Sequence, residues 1–142
     1  MKLHILILAA FLFLSCAAEP PTNNVVVNEQ TRAKNKLTAV KNEVTEITRV
    51  AQKIEQYGRD LEPYRETSDA ESARQCNLIV EDRRKQIVDL ETRVNNLPDD
   101  YKARLMPIVS DLNECVTCQR KALNGCKKAR ASINQLIKEI YP

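Results

Sequence analysis

Apolar residues recur at intervals of three and four along most of the chain, which is the spacing of one face of an α-helix. Charged and polar residues fill the positions between them, so each such helix would bury a single stripe against a partner. The first series comprises Ala33, Leu37, Val40, Val44, Ile47, Ala51 and Ile54.

Three further series have the same spacing, and no strand is predicted. The second contains Ala73, Cys76, Val80, Arg83, Ile87, Leu90, Val94 and Leu97. The third contains Tyr101, Leu105, Ile108, Leu112, Cys115 and either Gln119 or Ala122. The fourth contains Cys126, Ala129, Ile133, Leu136 and Ile140. Arg83 is the one charged member, and we expect its charge to reach the edge of the stripe or to pair with a carboxylate.

Residues that end or start helices separate the first two series. Gly58 and Pro63 interrupt the first pattern and predict either a helix end near Tyr57 or a bend through a short extra turn around Asp60–Glu66. Ser68 and Glu71 form a Ser-x-x-Glu pair, which is typical of a helix N-terminus because both side chains can bond unpaired backbone amides.

The later helices have similar boundaries. Pro98 predicts a turn, because the residue before a proline is pushed out of helical space, and Asp99 and Asp100 suit the helix start that follows. Gly125 is predicted to stop the third helix as a C-terminal cap. Amphipathic helices with short connections indicate an all-α fold, an elongated up-and-down bundle of about four helices.

The N-terminus has the layout of a secretory signal. Lys2 precedes an apolar run, Leu3–Leu14, and small residues follow it. This run is too short to span a membrane, which takes about 20 residues. The predicted organisation is a signal peptide over 1–18, a flexible lead-in over 19–30 and a single helical domain over 31–142, with secretion to the extracellular space.

Cys16 suggests an alternative to secretion, in which the mature protein is anchored to a membrane by lipid. The segment Phe13-Leu14-Ser15-Cys16 resembles a bacterial lipoprotein cleavage box. The alternative function is therefore a lipid-tethered envelope protein with a structural role, anchored through Cys16.

Composition excludes several classes of site. After the predicted signal, which holds the single His and both Phe, the chain has no His, Phe or Trp. It therefore lacks the imidazole that Ser-His-Asp and Cys-His catalysis and histidine metal sites require. With two Gly in the whole chain, no dinucleotide or phosphate loop can form. We expect no enzymatic activity, no cofactor and no metal, and no nucleic-acid binding, since no aromatics are interleaved with the basic residues.

Four cysteines remain after the predicted signal: Cys76, Cys115, Cys118 and Cys126. An even count in an exported domain favours two disulfides, with a four-thiolate zinc site and a redox CxxC motif as alternatives. Folding the second helix onto the third about Pro98 brings Cys76 within reach of Cys118 or Cys115. We therefore expect Cys76 to pair with one of these two and Cys126 with the other.

Positive charge is concentrated near the C-terminus. Residues 118–142 contain six basic residues and one acid, a net charge of +5, whereas residues 19–117 have a net charge of −3. Such a surface would suit an acidic protein face, a sulfated glycan or an anionic lipid surface, although the same charges could simply complement a helix dipole and solvate the surface. The residues that we call the basic corner are Arg120, Lys121, Lys127, Lys128 and Arg130.

The signal, the size, the helical pattern and the arrangement Cys76…Cys115-x-x-Cys118…Cys126 together resemble one salivary family. This is the group of anopheline mosquito salivary proteins that includes anophensin and albicin. The resemblance implies a secreted, non-enzymatic host-defence antagonist that binds plasma proteins of the alternative complement convertase or of contact (kallikrein-kinin) activation. Apolar surface left over on so regular a bundle could also form the interface of a homodimer.

Overall fold

The structure is a computed structural model that describes residues 23–140, and within this range it contains helices and no strand. The elements are α1 (Asn23–Asp60), a 3₁₀ turn (Glu62–Tyr64), α2 (Ala70–Asn95), α3 (Asp99–Cys115) and α4 (Ala122–Ile140). The predicted all-α fold with four helices is confirmed.

The chain divides after Lys34 into two units, of which the larger begins at Asn35. The predicted signal peptide and Cys16 lie outside the described residues. Helix α1 begins at Asn23, so residues 23–30 are helical where the sequence predicted a flexible lead-in. Extending an existing helix fixes one residue for each new hydrogen bond, so it does not require a strong apolar period in the added residues.

Neighbouring helices of the larger unit run antiparallel. Glu43 of α1 pairs with Arg93 of α2 at 2.9 Å, whereas Arg83, nearer the start of α2, lies over Tyr57, nearer the end of α1. In the same sense, α3 and α4 are joined by a disulfide at their shared corner and by an ion pair, Arg104–Glu139 at 2.8 Å, farther along both helices. These contacts give the predicted up-and-down order.

The core is aliphatic and follows the predicted stripes. Leu37, at the start of the α1 stripe, is 53% exposed, so the buried part of that stripe begins at Val44. The most deeply buried large side chains are Val44, Ile47, Ile54, Leu61, Ile87, Leu90, Val94, Leu105, Ile108, Leu112, Val116 and Ile133.

Arg83 satisfies its charge at the edge of this core, as predicted. Its guanidinium carbon lies 3.8 Å from the centre of the Tyr57 ring, a cation–π distance. Its Nη1 also pairs with the carboxylate of Asp82 at 3.2 Å. The ring covers the guanidinium while its charge remains paired.

Both disulfides form in the predicted pattern. Cys76 is bonded to Cys118, and Cys115 to Cys126, with Cα–Cα distances of 6.0 Å and 4.5 Å. The first links α2 to the connection between α3 and α4, and the second links those two helices directly. Because the four sulfurs are bonded in pairs, they are not available as thiolate ligands for zinc.

Gly125 does not stop a helix, contrary to the sequence prediction. It is buried inside α4, and α3 has already ended at Cys115. A Cβ atom placed on Gly125 would lie 2.7 Å from the backbone nitrogen of Cys115 and 2.8 Å from the carbonyl oxygen of Asp111. The glycine is therefore needed for the close approach of α3 and α4.

Gly58 has the same role on α1. The helix continues through it to Asp60, beyond the predicted end near Tyr57. The 3₁₀ turn at Glu62–Tyr64 is the short extra turn that the sequence predicted as the alternative. A Cβ on Gly58 would overlap Cys115 Sγ and would lie 3.3 Å from Cys126 Sγ. The Cys115–Cys126 disulfide thus packs directly on the α1 backbone at this glycine.

Arg65 ties the ends of two helices together. It is 7% exposed, and its Nη2 donates to the carbonyl oxygens of Gly58 in the last turn of α1 and of Cys115 at the end of α3. Its Nε donates to the Thr117 carbonyl at 3.1 Å. Burial lowers the pKa of Arg65, with a smaller opposing effect from Glu62, but an arginine remains protonated at any physiological pH.

The N-cap of α2 is Asp69 and not Ser68, so the predicted capping residue was wrong by one position. The Asp69 carboxylate accepts a hydrogen bond from the Ser72 backbone amide at 2.7 Å. A full negative charge at a helix N-terminus is favoured by the helix dipole, which a serine hydroxyl exploits less well.

Replacing Asp69 by alanine should lower the thermal unfolding midpoint at pH 7, whereas Ser68→Ala should leave it almost unchanged. Hydrogen bonds from the side chain and backbone of Ser72 lower the pKa of Asp69. The stability that the Asp69 carboxylate contributes is therefore fully present above the unfolded-state pKa of about 3.9. This stability is lost as the pH falls through the folded-state pKa. In acid the two variants should have the same unfolding midpoint. Equal losses at pH 7 would contradict the assignment of the N-cap to Asp69.

Gly125→Ala should destabilise the protein by about 1–3 kcal/mol, the usual cost of overpacking. On an open helix surface the same change would stabilise by up to about 1 kcal/mol. Urea unfolding of the oxidised protein measures the difference. Asn124→Ala, at the exposed neighbouring position, is the matched control, and equal stability of the two variants would contradict the close approach described above.

Candidate functional site

The connection between α3 and α4, residues 116–121, carries the first part of the basic corner and is held from several sides. Cys118 is bonded to Cys76 of α2, and its carbonyl accepts the Glu66 backbone amide at 3.2 Å. The Thr117 carbonyl accepts from Arg65. A short segment with this many attachments loses little conformational freedom when it binds a partner.

Arg120 is anchored by Glu66. Its Nε lies 3.2 Å from Glu66 Oε2, and its backbone amide donates to Glu66 Oε1 at 2.9 Å. Glu66 has a positive φ of 50°, a left-handed conformation that costs a non-glycine residue about 1–2 kcal/mol. These bonds hold Glu66 in that conformation and fix the direction of Arg120.

Lys128 faces two acids of α3. Its Nζ lies 3.5 Å from Glu114 Oε2, so its charge is compensated. The pKa of nearby Asp111 is raised, because partial burial disfavours the carboxylate more than the charge of Lys128 favours it. Lys128 therefore serves the contact between α3 and α4.

Lys121 and Lys127 differ from the other three members of the corner. Both are exposed, and neither forms an ion pair with any residue of the described range. Arg130, in contrast, points to α1 and pairs with Glu55 at 3.0 Å. The sequence-predicted corner is thus a pair of uncompensated lysines, two compensated cations and an arginine that belongs to a different surface.

That second surface is a cleft between α1 and α4, with a volume of about 450 Å³. We call it the α1–α4 cleft. Four cations line it, Arg49, Lys53 and Arg59 from α1 and Arg130 from α4. Its side-chain amides are Gln52, Gln56 and Asn134.

Glu55 is buried in the cleft lining and holds two of the cations in place. It is 4% exposed, and its Oε1 accepts hydrogen bonds from Arg59 Nε at 2.9 Å and from Arg130 Nε and Nη2 at 3.1 Å and 3.0 Å. A buried carboxylate is costly unless it is paired in this way. One acid therefore fixes two guanidinium groups from different helices.

Arg49 and Lys53 continue the basic lining along α1. Arg49 bonds Glu46 in a two-point contact, through Nε at 2.8 Å and Nη2 at 2.5 Å. This hydrogen bonding lowers the pKa of Glu46, and Lys53 makes a smaller contribution in the same direction. The cleft thus has ordered cations at both ends of its α1 wall.

Sequence reasoning missed this cleft. Glu55 falls outside the apolar stripe, among positions where a charged residue is expected to face solvent, but the structure buries it. The sequence does place Glu55 and Arg59 at i,i+4 spacing, which allows them to form an ion pair. This spacing is common on exposed helices and does not indicate burial. Arg130 was recognised as basic, but its partner is 75 positions away in the chain and gives no local signal.

No protein-family model, curated protein or solved structure matches the chain. Within residues 23–140, no helix is both long and apolar enough to cross a membrane. The same range contains no cluster of three or more His, Cys, Asp or Glu side chains suited to a metal ion. The site is therefore interpreted from its own geometry and charge.

Glu55→Gln should destabilise the protein by about 1–3 kcal/mol, the usual range for charged hydrogen bonds. The charge that holds Arg59 and Arg130 is lost while the shape of the side chain is kept. Glu46→Gln is the matched control on the same helix, because it removes an exposed ion pair with Arg49 and should change stability little. Chemical denaturation at pH 7 compares the two, and equal effects would contradict the organising role of Glu55.

Proposed function

We propose that this chain is a secreted, non-enzymatic antagonist that binds an acidic face of an extracellular protein complex through its basic corner. The observation that carries this proposal is the pair Lys121 and Lys127. Both present positive charge without an ion-pair partner in the described range, beside backbone that is fixed by two disulfides.

Rigidity supports a binding role for this corner. Association is opposed by the ordering of loops and side chains, and the connection 116–121 is already ordered by Cys118, Arg65 and Glu66. Exposed, uncompensated cations also accelerate the encounter with an acidic partner and disfavour basic ones. The corner thus combines a low ordering cost with charge selectivity.

The proposed partner is a plasma protein. The signal-like N-terminus and the cysteine arrangement, which resemble the anophensin and albicin group, direct attention to two systems. These are the alternative complement convertase and contact activation. Binding that blocks assembly of either complex would inhibit it without any chemical step on the antagonist.

Immobilised, oxidised protein 19–142 should retain complement or contact proteins from vertebrate plasma, identified by mass spectrometry. Lys121→Glu/Lys127→Glu should reduce this capture at least tenfold, the effect of about 1.4 kcal/mol. Arg32→Glu/Lys36→Glu, an exposed pair on α1 with the same change in net charge, should not. Circular dichroism checks that both variants are folded.

Equal losses in the two double variants would reduce the interaction to net charge and contradict the role of the corner. Capture of no plasma protein by the folded wild-type chain would contradict the antagonist proposal itself. That result would favour the alternative suggested by Phe13-Leu14-Ser15-Cys16, a lipid-tethered envelope protein. The mass of the mature protein would then show an acylated Cys16.

A further inference from the structure

We infer that the α1–α4 cleft is a binding site for a sulfated oligosaccharide, separate from the protein-binding role proposed for the basic corner. The inference depends on the cations, amides and buried carboxylate of the cleft and not on Lys121 or Lys127. It therefore holds or fails independently of the plasma partner.

The cleft keeps a positive charge after its internal pairs are counted. Its four cations face two acids, Glu46 and Glu55, which leaves a net charge of +2. Walls that concentrate one sign of charge raise the local concentration of ligands of opposite sign. The ligand class is therefore anionic.

The arginines also retain hydrogen-bond donors for such a ligand. Arg59 uses its Nε on Glu55, and Arg130 uses Nε and Nη2 on the same oxygen. A guanidinium has five N–H donors in a planar fork, so both groups keep further N–H groups that are oriented but not consumed. Both side chains are half-exposed and accessible from solvent.

The spacing of these groups fits an extended ligand with several anionic groups. Arg49 and Arg59 are ten positions apart on α1, a distance of about 15 Å along the helix axis. Lys53 lies between them, and Arg130 stands on the opposite wall. A single inorganic ion could contact one end of this row only, whereas an oligosaccharide with repeated sulfates could reach the whole row.

The amide side chains favour a sugar over an acidic polypeptide. Gln52, Gln56 and Asn134 can each donate to and accept from hydroxyl groups, which alternate with sulfates along such a chain. A protein partner is usually anchored by an apolar or aromatic side chain in a desolvated pocket. The apolar residue in this lining, Ile133, is 1% exposed and offers almost no surface to such an anchor.

The test is titration calorimetry of the oxidised protein with a heparin-derived hexasaccharide at low and at physiological salt. Arg49→Gln/Lys53→Gln should weaken binding about tenfold or more, because it removes two lining cations without touching Glu55. Lys121→Gln/Lys127→Gln makes the same change in net charge at the basic corner and should change affinity less than about twofold. Circular dichroism and unchanged unfolding midpoints establish that both variants are folded.

Three further probes distinguish the ligand classes. The desulfated hexasaccharide and inorganic sulfate should bind far more weakly than the sulfated hexasaccharide. A glutamate hexapeptide should also bind weakly, and binding of this peptide as tight as that of the glycan, with the same loss in Arg49→Gln/Lys53→Gln, would assign the cleft to an acidic protein segment. Equal losses in the two double variants, or no binding of the sulfated probe by wild type, would overturn the inference.

Discussion

A buried guanidinium that bonds to carbonyl oxygens is the interaction on which the corner of this structure depends. The carbonyls at the ends of α1 and α3 carry the partial negative charge of helix C-termini, and Arg65 places its positive charge between them. The same side chain holds Thr117 in the connection to α4. Arg65 thus satisfies polar backbone that would otherwise be buried without partners, and it fixes where α4 begins.

The two glycines and the Cys115–Cys126 disulfide form one close-packed unit around this guanidinium. Gly58 lets the disulfide rest on α1, and Gly125 lets α4 approach α3. These contacts compensate for a core built from aliphatic side chains, which are smaller than the aromatic residues that dominate many domain cores. The bundle therefore relies on short distances between backbones where other domains rely on large side chains.

Much of the fold could be predicted because helical spacing reports which face of each helix is buried. The stripe of α2 from Cys76 to Val94 and the turn at Pro98 are examples. The disulfide pattern followed once the turn set which helix ends meet. The spacing of residues on one helix does not report the distance to the next helix. Gly125 was therefore interpreted as a helix stop, although it is the point of contact between α3 and α4.

The candidate site was less predictable for a related reason. The basic corner could be recognised as a cluster in sequence, but whether each cation is compensated depends on acids elsewhere in the chain, such as Glu66 for Arg120 and Glu55 for Arg130. Burial of Glu55 and Arg65 likewise follows from tertiary packing. Local patterns assign both residues to the surface, because most charged side chains lie there.

The overlap of the two disulfide loops limits what a single proteolytic cut can do to the protein. Cys115 and Cys118 lie between Cys76 and Cys126, so the loop closed by Cys76–Cys118 and the loop closed by Cys115–Cys126 share a stretch of chain. Arg120 and Lys121 are exposed, and trypsin-like enzymes cleave after residues of these two types. A single cut there, or anywhere between Cys76 and Cys126, leaves both pieces covalently joined, so a nicked molecule keeps its helices together.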